Sequence, residues 1–187
     1  MDRKIDDRNI LDKFCEDFCS IVEKHVEYMI VSGFAAISSG RTRGTEDIDM
    51  VVGDIARNNF SELHRDLVEN GFECMQSGDP KDIFDNYLRK LDSVRYTWKD
   101  KFLPEMEIHL PKDKTDIYQL KKRIKMDLTG LNIYFAPIEG NIAFKEEWLK
   151  SEKDMEDAQH LRIVYSDIIN EEEIETIKKM IRRFRGK

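Results

Sequence analysis

Hydrophobic and polar residues follow two different periods along the first part of the chain. Over 6–27 the apolar residues stand three and four positions apart, which predicts an amphipathic helix. The apolar run 28–32 ends at Gly33 and is followed by small residues, which predicts a strand, a tight turn and a second helix. After a loop at 40–44, polar and apolar residues alternate over 45–52, as in a half-buried strand.

The remaining pattern predicts further strands and helices, followed by a helical end. The predicted elements are a helix at 54–70, strands at 72–76, 93–98 and 105–110, a helix at 114–123, a hairpin joining 125–128 to 132–136, and helices that begin near 142, 152 and 171. Residues 77–85 favour no particular element. We therefore expect a mixed α/β (α+β) fold in one compact unit, with a core at 1–140 and a helical C-terminal cap at 141–187.

Composition narrows the class of protein. The chain has 187 residues, 31 Lys and Arg against 38 Asp and Glu, and a net charge of −7, which disfavours non-specific binding to polyanions through bulk charge. No run approaches the roughly 20 apolar residues of a membrane span, and the N-terminus lacks the apolar core of a signal peptide. Cys15, Cys19 and Cys74 have the spacing of neither a metal site nor a redox pair. These features predict a cytoplasmic protein with free thiols and no membrane partner.

Two carboxylates share one face of the strand predicted at 45–52. Asp47 and Asp49 stand two positions apart, so the period of a strand places both on the face opposite Ile48 and Met50. Two such charges about 4 Å apart repel each other by about 4 kcal/mol at an effective dielectric constant of about 20, and a divalent cation would relieve that repulsion. Mg²⁺ prefers hard oxygen ligands and keeps waters and substrate phosphates, so it suits a site of two or three carboxylates.

A third carboxylate and a phosphate-binding turn are candidates for the same site. Glu105, Glu107 and His109 alternate with apolar residues on a later strand, and either glutamate reaches the acidic side if the two strands are neighbours. Ser32 and Gly33 lie between a strand and a helix, where free backbone N–H groups and the helix dipole favour a phosphate. Carboxylates and such a turn on successive strands are the combination that two-metal phosphoryl or nucleotidyl transfer requires.

The stretch VSGFAAISSGRTRGTEDIDMVV, residues 31–52, resembles the signature of the DNA polymerase beta-like nucleotidyltransferase superfamily. Its segment 43–49 (RGTEDID) is similar, more narrowly, to the minimal branch that includes abortive-infection-type toxins and uncharacterised prokaryotic proteins. The chain departs from the signature in having Ser32-Gly33 where that superfamily has Gly-Gly or Gly-Ser, and Glu107 where an aspartate is frequent. The resemblance implies a nucleotidyltransferase fold.

The resemblance also implies roles for individual residues. It implies that Asp47, Asp49 and Glu107 are the catalytic residues and hold two Mg²⁺ ions. It implies nucleotide binding by a larger set on the turn, the loop that follows and the helical end. That set is Ser32, Gly33, Arg41, Arg43, Thr45, Lys145, Asp154 and Asp157.

Structural explanations stay open for several of these residues. The arginines of the loop 40–44 suit a triphosphate and equally suit a solvated loop. Asp154 follows Ser151 by three residues, which is the spacing of a helix cap. Asp157 and Lys145 are also compatible with a solvated helical surface.

The sequence therefore predicts a Mg²⁺-dependent nucleotidyltransferase. It would move an NMP group from an NTP such as ATP to a hydroxyl of RNA, protein or a small molecule, and would release pyrophosphate. The rival hypothesis is a non-catalytic module of the same fold. Such a module would bind a nucleotide, RNA or a partner protein in a toxin–antitoxin or regulatory setting.

Overall fold

The computed structural model describes residues 9–186, whose strands and helices alternate along most of the chain. The strands are β1 (Tyr28–Val31), β2 (Asp47–Val52), β3 (Phe72–Cys74), β4 (Val94–Trp98), β5 (Glu105–His109), β6 (Ile124–Lys125) and β7 (Tyr134–Phe135). The α-helices are α1 (Ile10–Val22), α2 (Gly33–Ser38), α3 (Arg57–Glu69), α4 (Pro80–Asn86), α5 (Lys114–Lys121), α6 (Ile138–Phe144), α7 (Glu152–Val164) and α8 (Glu171–Phe184). The strands form one mixed sheet flanked by helices, so the predicted α/β class is confirmed.

The sheet has β2 at its centre. The strand order is β3-β4-β5-β2-β1-β7-β6. β2 runs antiparallel to β1 and parallel to β5, and the register pairs Asp47 with Glu105 and Asp49 with Glu107. β5 pairs on its other side with the antiparallel strand β4, where Arg95 is opposite Glu107. The two strands that carry the predicted catalytic acids are therefore neighbours.

The apolar side of β2 belongs to the core. Ile48 and Met50, which alternate with the two aspartates, are fully buried. Helix α1 covers another part of the core, where the Phe18 ring lies 5.1 Å from that of Phe72 and 5.7 Å from that of Tyr96, measured between centroids. Alternation along β2 therefore divides the strand between an apolar side and an acidic side.

The ends of several elements differ from the predicted ones. Helix α1 ends at Val22 and 23–27 form a turn, while the predicted helical positions 6–8 lie outside the described residues. The predicted hairpin is present as the antiparallel pair β6 and β7, but its strands are short because Asp127–Thr129 form a 3-10 turn. Helix α6 begins at Ile138, so the predicted boundary between core and cap falls inside a helix.

Capping residues fix the helices that the hydrophobic pattern left least defined. Within 77–85, the Asp79 side chain accepts a hydrogen bond of 2.9 Å from the backbone N–H of Lys81 and starts α4. The Ser151 side chain caps α7 in the same way, and the Asn170 side chain caps α8. The helix starts predicted near 152 and 171 are therefore confirmed, whereas the start predicted near 142 lies at Ile138.

Two further predictions concern thiols and membranes. Cys15, Cys19 and Cys74 are free thiols, as predicted. Cys15 and Cys19 pack inside the core from one face of α1, with their sulfur atoms 3.8 Å apart. None of the helices between residues 9 and 186 has the length and apolar character needed to cross a bilayer.

Replacing Phe18 by Ala is expected to lower the free energy of unfolding by about 3–5 kcal/mol, because the buried ring leaves a cavity between α1 and the sheet. Phe102, which is 83% exposed, is the matched control, and Phe102→Ala should change that free energy by less than about 0.5 kcal/mol. Urea unfolding followed by circular dichroism measures both values. Equal effects of the two substitutions would contradict this description of the core.

Candidate active site

Four carboxylates occupy neighbouring positions on β2 and β5. Asp47 lies beside Glu105 and Asp49 beside Glu107 in the parallel register. Side chains at paired positions of neighbouring strands point to the same side of a sheet. We call these four residues the acidic face, and it contains all three predicted catalytic residues.

Asp49 lies where a negative charge is unfavourable. Its pKa is raised to about 6, first by burial and then by the negative charges of Glu107 and Asp47. A hydrogen bond from the Ser32 hydroxyl and the positive charge of Lys145 act in the opposite direction. A cation bound here would stabilise the ionised carboxylate, as the predicted metal-binding role requires.

Thr45 positions Asp47. Its hydroxyl lies 2.8 Å from Asp47 Oδ1 and 3.1 Å from the backbone oxygen of the same residue, and donates a hydrogen bond. The exposed carboxylate of Asp47 is thereby tied to the loop that precedes β2. The structure thus brings Thr45 to the acidic face, and its contact with a nucleotide stays a prediction.

The turn between β1 and α2 has a backbone conformation that is rare for serine. Ser32 has φ 66° and ψ −138°, a region that glycine alone occupies without strain. Its hydroxyl bonds to Asp49 and does not cap α2. A Cβ atom at residue 33 would overlap the Arg43 guanidinium, so Gly33 leaves room for that side chain. The predicted phosphate-binding turn therefore lies beside the acidic face and next to the Arg43 guanidinium.

A buried ion-pair cluster joins the loop after α2 to the C-terminal helices. Asp157 of α7 is fully buried, and its Oδ2 lies 2.9 Å from Lys145 Nζ. Arg41 Nε and Arg43 Nη2 lie 2.6 Å and 3.1 Å from the same carboxylate. Asp154 Oδ1 is 3.6 Å from Lys145 Nζ at the outer side. We call these five residues the cap cluster.

The cap cluster excludes one of the structural alternatives that the sequence left open. Lys145 is 1% exposed and Asp157 is 0% exposed, so the solvated-surface alternative is wrong for both. The Ser151 side chain caps the backbone N–H of Asp154, which confirms the cap explanation, and the Asp154 side chain also faces Lys145. Arg41 pairs in addition with Glu156 and ties the loop to α7. Nucleotide binding by these residues stays a prediction.

Arg43 keeps unused hydrogen-bond donors beside Gly33. Its Nε and Nη1 are buried and have no hydrogen-bond partner within residues 9–186. Buried polar groups without partners are costly, so an anion at this position would be favoured. The guanidinium that carries these donors lies beside Gly33, a residue to which the resemblance assigns nucleotide binding.

A cavity of about 250 Å³ opens between the acidic face and the C-terminal helices. The predicted site residues Ser32, Asp49, Glu107 and Lys145 contribute to its walls. The other walls include residues that no sequence motif singled out, namely Lys112, Gln119, Asn141, Phe144, Trp148 and Arg185. They come from the loop between β5 and α5, from α5 and α6, from the turn Lys145–Leu149 and from the end of α8, and only the packing of these segments brings them together.

His109 contributes a neutral imidazole to the same cavity. Its Nδ1 donates a hydrogen bond of 2.8 Å to the backbone oxygen of Leu110. Burial lowers the pKa of His109, which keeps the ring unprotonated at neutral pH and leaves Nε2 as an acceptor. The strand period placed His109 on the acidic side, and the structure confirms that position.

Two residues that the sequence did not single out hold Glu107. Ser93 Oγ donates to Glu107 Oε1 at 2.7 Å, and Arg95 Nη2 donates to Glu107 Oε2 at 3.0 Å. Arg95 Nε also lies 3.2 Å from Glu105 Oε1. The strand predicted at 93–98 was the available signal, and the pairing of β4 with β5 decides the contact.

The donor chemistry of the acidic face fits Mg²⁺. Asp47 and Asp49 offer hard carboxylate oxygens on one strand, and Glu107 lies beside Asp49. Within residues 9–186, no three His, Cys, Asp or Glu side chains converge as a preformed metal site. The set Asp47, Asp49 and Glu107 as ligands of two Mg²⁺ ions therefore stays a prediction.

Ser32→Gly is expected to be more stable than Ser32→Ala by about 1–2 kcal/mol. Both variants lose the hydroxyl, but only glycine adopts a φ of 66° without strain. Ser20, an exposed serine in α1, is the matched control, where alanine should be the more stable variant because glycine weakens helices. Urea unfolding of the four variants measures both differences. Equal stability of the two variants at position 32 would contradict the strain.

Asp49→Asn is expected to stabilise the protein at neutral pH and to leave its stability unchanged at pH 4. The folded-state pKa of about 6 lies above the ordinary value of 3.8. The ionised carboxylate therefore destabilises the fold increasingly between those two pH values, by about 3 kcal/mol above them. Urea unfolding in EDTA from pH 4 to 7 measures the effect, with the exposed Asp92→Asn as control. An increase in the free energy of unfolding that is the same at every pH would contradict the environment described for Asp49.

Comparison with known proteins supports the fold at the level of architecture. Neither a protein family nor a curated protein matches the chain in sequence. In structure, the chain is similar to the antibiotic-resistance factor ANT(2'')-Ia in solution, with a TM-score of 0.54 and 13% identity over 92% of this chain and 91% of that one. It is also similar to the crystal structure of ANT(2'')-Ia in complex with adenylyl-2''-tobramycin, with a TM-score of 0.53 and 15% identity over 94% and 98% of the two chains.

A third similar structure is an antigenic nucleotidyltransferase-like protein from Paracoccidioides brasiliensis. Its TM-score is 0.51 and its identity 16%, over 91% of this chain and 89% of that one. All three matches extend over about nine-tenths or more of this chain and of the similar chains. Within its described residues, this chain has the nucleotidyltransferase fold that its 31–52 signature implied.

Proposed function

We propose that the protein is a Mg²⁺-dependent nucleotidyltransferase that transfers an NMP group from an NTP to a hydroxyl acceptor and releases pyrophosphate. The observation that carries the proposal is the position of Asp49 between Asp47, Glu107, Ser32 and Lys145 at the wall of a cavity, in a nucleotidyltransferase fold. That position combines carboxylates for a cation with groups for an anion, and a metal-bound triphosphate needs both.

The carboxylates would hold the metal. Asp47, Asp49 and Glu107 are the residues that we assign to two Mg²⁺ ions, on the strength of their oxygen donors and their neighbouring strand positions. Bound Mg²⁺ would neutralise charge on the triphosphate and lower the pKa of the acceptor hydroxyl. Thr45 supports this role through its hydrogen bond to Asp47.

The cap cluster would serve the departing pyrophosphate. Lys145 is held by buried Asp157, and its positive charge reaches Asp49. Arg43 adds two unpartnered donors beside Gly33. Cations fixed before substrate binds stabilise developing negative charge without reorganisation. We assign Lys145, Arg43, Ser32 and Gly33 to the phosphates, and Arg41, Asp154 and Asp157 to holding these groups in place.

The acceptor would enter the cavity beside Glu107. Its hydroxyl oxygen attacks the α-phosphorus, the bond from that phosphorus to the bridging oxygen breaks, pyrophosphate leaves, and the hydroxyl proton passes to water. His109 Nε2, a neutral acceptor in the same cavity, is suited to orient that hydroxyl. One similar structure holds adenylyl-2''-tobramycin, which supports a nucleotide-linked small molecule as one kind of product. Hydroxyls of RNA and protein are the other acceptor classes.

Asp49→Asn is expected to abolish NMP transfer, with a loss of at least about 10³-fold, because it removes a charged metal ligand and leaves the phosphates uncompensated. The assay incubates the protein with each α-labelled NTP and Mg²⁺ against total RNA, total protein and a mixture of hydroxylated small molecules. Label in one fraction identifies the acceptor class.

The control for this assay is Asp92→Asn, an exposed aspartate outside the cavity that should transfer at the wild-type rate. Since Asp49→Asn is also expected to be the more stable protein, loss of activity in that variant is separable from unfolding. Transfer by Asp49→Asn at the wild-type rate would overturn the proposed function.

A further inference from the structure

Arg95 bridges two carboxylates of the acidic face. Its guanidinium donates from Nη2 and Nε to Glu107 Oε2, at 3.0 Å and 3.1 Å. The same Nε lies 3.2 Å from Glu105 Oε1. The antiparallel register of β4 and β5 places Arg95 opposite Glu107, so the contact is built into the sheet. A planar guanidinium can serve two carboxylates at once, which a lysine ammonium does less well.

Glu107 has no oxygen left without a partner. Ser93 donates to Oε1 at 2.7 Å and Arg95 donates to Oε2. Glu107 is 20% exposed, so these bonds replace much of its hydration. A divalent cation that coordinates Oε2 must therefore share that oxygen with the Arg95 guanidinium, whose positive charge competes with that of the metal ion.

The Arg95 side chain can give way in that competition. It is 48% exposed, and its flexible stem reaches the acidic face from the neighbouring strand. Glu105, two residues before Glu107 on β5, remains as its partner when Glu107 is released. The two glutamates differ in their partners: Glu107 lies beside Asp49 and accepts two hydrogen bonds from Arg95, whereas Glu105 lies beside Asp47 and forms one ion pair with Arg95.

We propose that Arg95 is a built-in counter-ion that holds Glu107 in the metal-free protein and competes with divalent cations for that carboxylate. This inference rests on the metal site of the proposed function. Arg95 lowers the affinity for a free metal ion, so that the site fills when the ion arrives together with the phosphates of a nucleotide. Arg95 is a positioning residue, because it acts on the metal through Glu107.

The test measures Mn²⁺ binding to the metal-free protein without nucleotide, by the paramagnetic resonance signal of unbound Mn²⁺. Arg95→Gln should bind Mn²⁺ about tenfold more tightly than wild type, because it removes a positive charge next to the ligands. The affinity of Arg95→Lys for Mn²⁺ should lie between those of wild type and Arg95→Gln, because lysine keeps the positive charge but lacks the planar guanidinium that bonds to two carboxylates. Arg89→Gln, at an exposed arginine in the turn Leu88–Lys90, is the matched control and should bind as wild type does.

A second measurement has a different readout. The thermal midpoint of Arg95→Gln in EDTA should lie below that of wild type, because the acidic face loses its counter-ion, and Mg²⁺ should raise it by more than it raises wild type. Circular dichroism in EDTA establishes that the variant is folded. The Arg89→Gln protein should respond to Mg²⁺ as wild type does.

The inference is overturned if Arg95→Gln binds Mn²⁺ no more tightly than wild type, or if neither protein binds Mn²⁺. These results are distinguishable from failure of the proposed function. If Arg95→Gln binds Mn²⁺ tenfold more tightly than wild type but the wild-type protein transfers no NMP, the role of Arg95 stands and the proposed function fails. If the wild-type protein transfers NMP but the two proteins bind Mn²⁺ equally tightly, the proposed function stands and the role of Arg95 fails.

Discussion

The parallel pairing of β2 with β5 is the constraint on which the rest of the site depends. It places the four carboxylates of the acidic face on neighbouring positions of the two strands, where their negative charges repel one another. The chain offsets the repulsion with short-range partners: a Ser32 hydroxyl on Asp49, a Thr45 hydroxyl on Asp47, and the Arg95 guanidinium on the two glutamates. The pKa of Asp49 is nevertheless raised, first by burial and then by the remaining repulsion from Glu107 and Asp47. Unfavourable charge of this kind is typical of functional sites, where a ligand supplies the missing compensation.

A single buried carboxylate connects this face to the C-terminal helices. The Asp157 carboxylate forms ion pairs with Lys145, Arg41 and Arg43. Burying the carboxylate without these cations, or the cations without the carboxylate, would be costly. The helical end of the chain is therefore part of the site, since it sets where Lys145 stands relative to Asp49. The π-helical turn Lys145–Leu149 begins at this lysine, as irregular helical turns often do at functional positions.

Local sequence patterns predicted most of the helices and strands. Local hydrogen bonds in turns and caps explain where the ends of these elements differ from the predicted ones. The Asp-Ile-Asp alternation gave β2, and the caps at Ser151 and Asn170 gave the starts of α7 and α8. The predicted hairpin kept its pairing but lost strand length, because Asp127–Thr129 bond within a 3-10 turn. The start of α4 had a readable signal in the capping side chain of Asp79, which the hydrophobic period does not record.

The sequence by itself determined that Asp47 and Asp49 share a face, because a strand has a period of two, and it placed Ser32 and Gly33 at the start of a helix. The tertiary structure decided which cations meet these groups. Arg95 contacts Glu107 because β4 lies beside β5. The positive charge of Lys145 acts on Asp49 because both residues line the cavity between the sheet and the C-terminal helices. Spacing along a strand is a property of the local backbone. A contact between distant residues depends on strand order and helix packing, which the whole chain settles together.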